Sequence, residues 1–182
     1  GFPLYAGAAS GLGLLQTPPL DLKQVEIIKG SSSTLYGGGA IAGLVNLISK
    51  TPTDEKELGF HLNGSSGRGF DINGFYGQRF NKIGTTIFAA HNRNWAYTPS
   101  GDFSAIPKFD RYVFNPKLFV YLSDKTKLNV GINTAIENRI GGDIHFIQGK
   151  GDTLHSYFEE NKTQRYSTQL SFDHKFNDKS LF

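Results

Sequence analysis

From Arg111 to Phe176 the chain alternates apolar and polar residues with a period of two, in runs of about a dozen residues. In the first run Tyr112, Phe114, Leu118, Val120 and Leu122 share one face, with Pro116 among them. Arg111, Asn115 and Lys117 share the other, together with Val113, Phe119 and Tyr121. Ser123-Asp124-Lys125-Thr126 then forms a compact polar turn. The next run sets Leu128, Val130, Ile132, Thr134 and Ile136 against Lys127, Asn129, Gly131, Asn133 and Glu137. A third sets Tyr166, Thr168, Leu170, Phe172 and Phe176 against Arg165, Ser167, Gln169, Ser171, Asp173 and Lys175. Such runs are strands with one apolar and one polar face. The connections at 123–126 and 177–180 are too short for a crossover, so the pairing is antiparallel.

Two architectures alternate in this way, a soluble β-sandwich and a transmembrane β-barrel. Three features favour the barrel. The runs exceed the usual five or six residues of a globular strand. Short turns, at Asn81-Lys82, 123–126 and 177–180, alternate with longer loops at roughly 96–109 and 140–162, the asymmetry of outer-membrane barrels. Aromatic residues gather near the strand ends: Trp95, Tyr97, Phe109 and Tyr112 by a long loop, Phe80, Tyr121 and Phe176 by short turns. Those positions suit interfacial girdles.

A Lys or Arg on a lipid-facing strand costs roughly 2–4 kcal/mol at the midplane. The apolar faces of 111–122 and 127–137 carry no charge, and on 165–176 the exception is His174, near a turn. Weaker strands are expected near 58–65, 70–80 and 85–95. There Gly74 and Tyr76 suit either environment, and the pattern assigns no face to Thr85–Arg93. About six strands are therefore expected, fewer than the eight of the smallest closed outer-membrane barrels, so the rest of such a wall would lie beyond Phe182.

Composition narrows the chemistry. With Cys 0, a disulfide framework and a thiolate metal site are excluded. With Met 0, the chain is expected to begin inside a longer product, and both ends look cut. The net charge of +3 is carried by dispersed Lys and Arg, which argues against nucleic acid. No apolar stretch approaches the ~20 residues of a spanning helix. No Ser or Cys pairs suggestively with a His, so no catalytic constellation is expected, and neither His-rich spacing nor a carboxylate cluster indicates a metal. Gly37, Gly39 and Ala42 fit the dinucleotide pattern G-x-G-x-x-A. That motif must open a helix after a strand, and a β-favouring run, Leu44–Ile48, follows instead.

Up to about Pro52 the chain is different, rich in Gly, Ala and Ser. Its Val25-Glu26 pair and Lys29-Gly30 are followed by Ser33, Leu35-Tyr36-Gly37, Ala40, Gly43, Val45-Asn46 and Lys50. This ordered set resembles the end of the plug domain of TonB-dependent outer-membrane receptors. The departures are mild: the family often has Arg at position 29, Pro at 31 and a Gly-Gly pair at 42–43. The resemblance implies an α+β plug portion over 1–52 and the first barrel strands over 53–182, giving a mainly β protein. Within the plug, Val25–Ile28 is expected as a buried strand and Leu44–Ile48 as its return. Ser31–Ser33 would cap a helical turn at Thr34–Tyr36.

The resemblance also implies a function: energy-coupled uptake of a scarce ligand across the outer membrane of a Gram-negative bacterium. The cargo would be a ferric siderophore, haem or cobalamin, with no enzymatic step and no cofactor. Partners would be outer-membrane lipid, TonB acting through an N-terminal box outside this stretch, and a small ligand such as a ferric chelate. A glycan importer with a surface lipoprotein is the alternative within the family, and a non-transport soluble β-sandwich binding protein the alternative outside it. The glycan subclass usually shows Lys-Asp-Ala at 29–31, where Lys29-Gly30-Ser31 stands here. By position, Tyr5, Ser10, Gln16 and Leu20 would face ligand from the plug apex, and His145, His155 and Tyr157 from an outer loop. Glu26, Lys29, Gly30, Leu35, Tyr36, Gly37, Gly43 and Asn46 would be structural. Asn115, Lys117, Asn129, Asn133, Arg165 and Gln169 would line the lumen.

Overall fold

The computed structural model describes residues 20–29, 43–177 and 180–181. The expected turn at Thr34–Tyr36, with its cap, lies outside them. Strand β1 (Leu22–Lys29) pairs antiparallel with β2 (Gly43–Ser49). A second sheet runs in chain order through β3 (Glu57–Gly64), β4 (Gly69–Phe80), β5 (Ile83–Asn94), β6 (Lys108–Ser123), β7 (Thr126–Gly142), β8 (Phe158–Asn177) and β9 (Ser180–Leu181). All its neighbours are antiparallel. The sheet is open, with β3 and β9 at its edges.

The alternating runs are strands, but the strands outlast the alternation. β6, β7 and β8 extend beyond 111–122, 127–137 and 165–176, through pairs such as Asp110↔Asn138 and Asn138↔Lys162. The ladder is made by backbone groups and does not require apolar side chains, so it continues past the apolar band. The long loops shrink accordingly to 95–107 and 143–157, and the latter contains a short helix, α1 (Ile144–Ile147), that the sequence did not suggest. Strict alternation of short and long connections also fails once. The β3–β4 turn, 65–68, lies at the long-loop end yet is only four residues, held by Gly69 N–H donating to Ser65 Oγ at 3.1 Å. At the opposite end Asn81 takes the left-handed conformation (φ 53°) that lets β4 reverse into β5 in two residues.

Burial in the large sheet is inverted relative to a soluble protein. Tyr112, Phe114, Leu118 and Leu122 on β6, Val130, Ile132 and Ile136 on β7, and Tyr166, Leu170 and Phe172 on β8 are exposed. Arg111, Asn115 and Glu137, on the opposite face, are buried. Nothing among the described residues covers the apolar face in the way a sandwich's second sheet would. The structure also assigns the faces of β5. Thr86, Phe88, Ala90, Asn92 and Asn94 are buried on the polar face, while Ile83 and Ile87 are exposed on the other.

Two aromatic assignments are corrected by strand parity. Phe109 and Tyr121 share the inner face with Arg111. The Arg111 and Arg139 guanidinium groups lie 5.1 and 4.8 Å from the Phe109 ring, and Arg79 lies 3.9 Å from that of Tyr121. Phe80, Tyr112 and Phe176 do stand exposed on the apolar face near strand ends. His174, the polar member of that face, has its Nδ1 2.8 Å from Thr126 Oγ1.

A small apolar island interrupts the inner face: Phe75, Phe88, Ala90, Val113 and Ala135, aligned by the pairs Phe75↔Phe88, Ala90↔Val113 and Val113↔Ala135. Leu20 packs on it. Beyond β2, Pro52 is buried against Gly84, where a Cβ would stand 2.6 Å from Pro52 Cγ. Glycine is needed there because the linker sits where a side chain would. The expected burial of Val25–Ile28 is not observed: Val25, Ile27 and Ile28 are exposed, in a two-stranded ribbon whose main contacts among the described elements are between β1 and β2 themselves.

Candidate functional site

Two polar assemblies are built on this frame. The first occupies the inner face. Glu137 is the hub: Arg111 donates from Nε to Oε2, and Arg139 from Nε to Oε1 at 2.8 Å. Toward β4, Asn92 Nδ2 donates to Asp71 at 2.8 Å, and toward β7, Asn133 Nδ2 donates to Asn115 Oδ1 at 2.9 Å. Arg165 Nε, Asn129 Oδ1 and Asn92 Oδ1 are buried without a hydrogen-bond partner among the described residues. An unsatisfied buried polar atom costs about 1–3 kcal/mol, so this face is built to meet water or further polar groups.

The Leu20-Asp21 corner docks on the same face. Asp21 is buried, hydrogen-bonds Asn115 and lies in the field of Lys117 and Lys50. Burial pushes its carboxyl above the ordinary range, against the opposing pull of Lys117. Its carbonyl accepts the Lys50 N–H at 2.8 Å, closing the base of the β1–β2 ribbon. At the short-turn end a cleft of about 490 Å³ is lined by Arg79, Lys82, Lys125, Lys127 and Lys175 with Asp124 and Asp173.

The second assembly joins the two long loops. Ile144 N–H donates to the Asp102 carbonyl at 2.7 Å, Ser104 N–H to that of Gly142 at 2.8 Å, and Phe103 forms a bridge with Asp143. Asp143 caps α1: its Oδ1 accepts the His145 N–H at 2.8 Å and lies 3.2 Å from His145 Nδ1. Asp152 plays the same part for the second histidine, accepting the N–H groups of Leu154 and His155 at 2.8 and 2.9 Å, with His155 Nδ1 at 3.1 Å. The hydrogen bond to Asp152 raises the His155 pKa, and the bonds from His155 and Leu154 lower that of Asp152. The two imidazole rings are 4.4 Å apart between centroids. Tyr157 donates to Glu159 at 2.6 Å, which raises its hydroxyl pKa, and its ring is 5.9 Å from that of Phe103.

The structure therefore brings His145, His155 and Tyr157 into one loop cluster, while Leu20 lies on the inner face. Tyr5, Ser10, Gln16, Gly30, Leu35, Tyr36 and Gly37 lie outside the described residues. Glu26 and Asn46 are cross-strand partners, joined by a 3.0 Å hydrogen bond from Asn46 Nδ2 to Glu26 Oε2. Lys29 pairs with Gly43 in the same ladder. Asp102 was not anticipated, because it comes from the other loop. The carboxylates two and three residues ahead of His145 and His155 were a readable signal.

The model of the TonB-dependent Receptor Plug Domain matches residues 1–44. The chain is also similar to the ferric enterobactin receptor PirA of Pseudomonas aeruginosa, 43% identical over 37 residues, which is 20% of this chain and 5% of that receptor. The stretch compared is thus a small part of the relative's length. No solved structure matches. Both matches point to a receptor family rather than to an enzyme family.

Proposed function

We propose that the chain, whose residues 1–44 match the plug domain of TonB-dependent receptors, is the end of such a plug, over 1–52, followed by the first wall strands of an outer-membrane β-barrel, over 53–182. The observation that carries the barrel reading is the inverted burial. An exposed face of Phe114, Leu118, Val130, Ile132 and Leu170 backs onto a buried one with Arg111 and Glu137. Soluble monomers rarely leave so large an apolar face uncovered, whereas a barrel wall sets it in lipid and its polar side toward the lumen. From Tyr112 to Leu122 the apolar run is eleven residues, matching the ~9–11 of a tilted spanning strand. The inner atoms without partners would then meet water or the rest of the plug.

The whole receptor would import a ferric siderophore across the outer membrane of a Gram-negative bacterium, energised by TonB. The similarity to a ferric enterobactin receptor supports that cargo class. Tyr5, Ser10, Gln16 and Leu20 from the plug, and His145, His155 and Tyr157 from the outer loop, are the proposed contacts.

The test is ligand binding by the complete receptor purified in detergent, read by quenching of tryptophan fluorescence. Saturable quenching by a ferric siderophore is expected. Binding of haem, cobalamin or an oligosaccharide instead would overturn the cargo and keep the receptor. A protein that needs no detergent to stay monomeric would overturn the barrel.

A further inference from the structure

We infer that Asp102, His145 and His155 form a binding site for a divalent transition-metal ion of the Zn²⁺ class, which ties the two long loops together at the end of the sheet opposite the short turns. One ligand atom from each of the three lies within 4.8 Å of the others. A tetrahedral Zn²⁺ with bonds of about 2.0–2.1 Å holds its ligands roughly 3.3 Å apart, so small side-chain rotations close the set.

The surroundings are what distinguish this cluster from a chance meeting of polar side chains. Metal-bound histidines almost always pass their second ring nitrogen to a carboxylate or carbonyl, which selects the tautomer and aims the ring. Both histidines already have that arrangement, His145 Nδ1 on Asp143 and His155 Nδ1 on Asp152, leaving each Nε2 for a metal. The carboxylates are themselves pinned. Asp143 is buried and Asp152 accepts two backbone N–H groups. Asp102 is held beside α1 by the Ile144–Asp102 backbone bond. That bond fixes the Asp102 backbone beside the helix, and its exposed carboxylate reaches the two histidines from there.

The donor set narrows the class of ion. Two imidazoles and one carboxylate, in a chain with no cysteine, suit Zn²⁺, Ni²⁺, Co²⁺ or Fe²⁺, and discriminate against the all-oxygen preference of Ca²⁺ and Mg²⁺. Three protein ligands leave at least one position for water. The inference rests on the geometry of these loops, and because His145 and His155 are also proposed cargo contacts, metal binding is measured with no iron chelate present.

The complete receptor in detergent, stripped with chelator and dialysed without any iron chelate, is titrated with ZnCl₂ against a chromophoric indicator, and with CoCl₂ by visible absorption. About one Zn²⁺ per chain is expected, retained in millimolar Ca²⁺ and Mg²⁺, with Co²⁺ giving ligand-field bands. His145→Ala with His155→Ala should abolish that equivalent, and Asp102→Asn should weaken it. Asp152→Asn keeps all three ligands and should still lower affinity by about 10–100-fold through loss of ring orientation. Equal uptake by the receptor and the double variant would overturn the site, as would no uptake, displacement by Ca²⁺, or cobalt bands unchanged in every variant. Retained cold-SDS resistance shows that each variant is folded.

Discussion

Leu118→Arg separates a lipid-facing sheet from a water-facing one. Leu118 lies on the exposed apolar face, paired with Thr85 on β5 and Val130 on β7. The apolar run on its strand extends from Tyr112 to Leu122, so Leu118 is one residue from the centre and Leu122 is at the edge. Five residues at about 3.3 Å each, tilted by roughly 45°, place Leu122 roughly 12 Å from the midplane, about half the height of the apolar band. An arginine near the centre should cost about 2–4 kcal/mol and one at the edge about 0–1 kcal/mol. At 3 kcal/mol the folded-to-unfolded ratio falls about 150-fold. On a water-facing strand either change would lie within about 0.5 kcal/mol. The assay is equilibrium denaturant unfolding of the complete receptor refolded into phosphatidylcholine vesicles, comparing Leu118→Arg with Leu122→Arg. Equal costs at the two positions, or a cost under about 0.5 kcal/mol at Leu118, would refute the lipid-facing assignment.

Glu137→Ala removes the shared partner of Arg111 and Arg139 and should cost about 3–5 kcal/mol, read as a lower denaturation midpoint, because it strands buried positive charge. Gly84→Val drives a side chain into Pro52; it should destabilise by about 1–3 kcal/mol and expose 50–53 to protease while the sheet persists. The Asp21 carboxyl titrates above its ordinary value because burial disfavours its charged form. The docked corner therefore binds protons more readily than the free one, and docking tightens as pH falls from neutral through the raised pKa, levelling off below the ordinary one. Protection of the Lys50 amide, corrected for intrinsic exchange, should rise on mild acidification, and Asp21→Asn should remove that dependence.

How far the sequence reaches is visible strand by strand. On β6, β7 and β8 the two faces differ enough in polarity that alternation orients them, and the burial of Arg111, Asn115 and Glu137 against the exposure of Phe114, Leu118, Ile132 and Leu170 agrees. On β5 it does not suffice: Thr85 and Thr86, then Ala89 and Ala90, put the same residue on both faces. The ladder settles it, since directly paired residues share a face and Ala90 is opposite Val113. The plug segment was legible as an ordered run of residues, and the Glu26–Asn46 bond gives part of that run a cross-strand reason.

Alternation, turn length and a contiguous motif are local properties, and they suffice for antiparallel β-structure, two contrasting faces and a plug region. Where distant segments meet is settled only in the folded chain. Folding sets Leu20 and Asp21 on the inner face, seats Pro52 over Gly84, and brings Asp102 from one loop to His145 and His155 on another. Those meetings depend on strand register and loop-to-loop hydrogen bonds, and neither leaves a periodic trace along the chain.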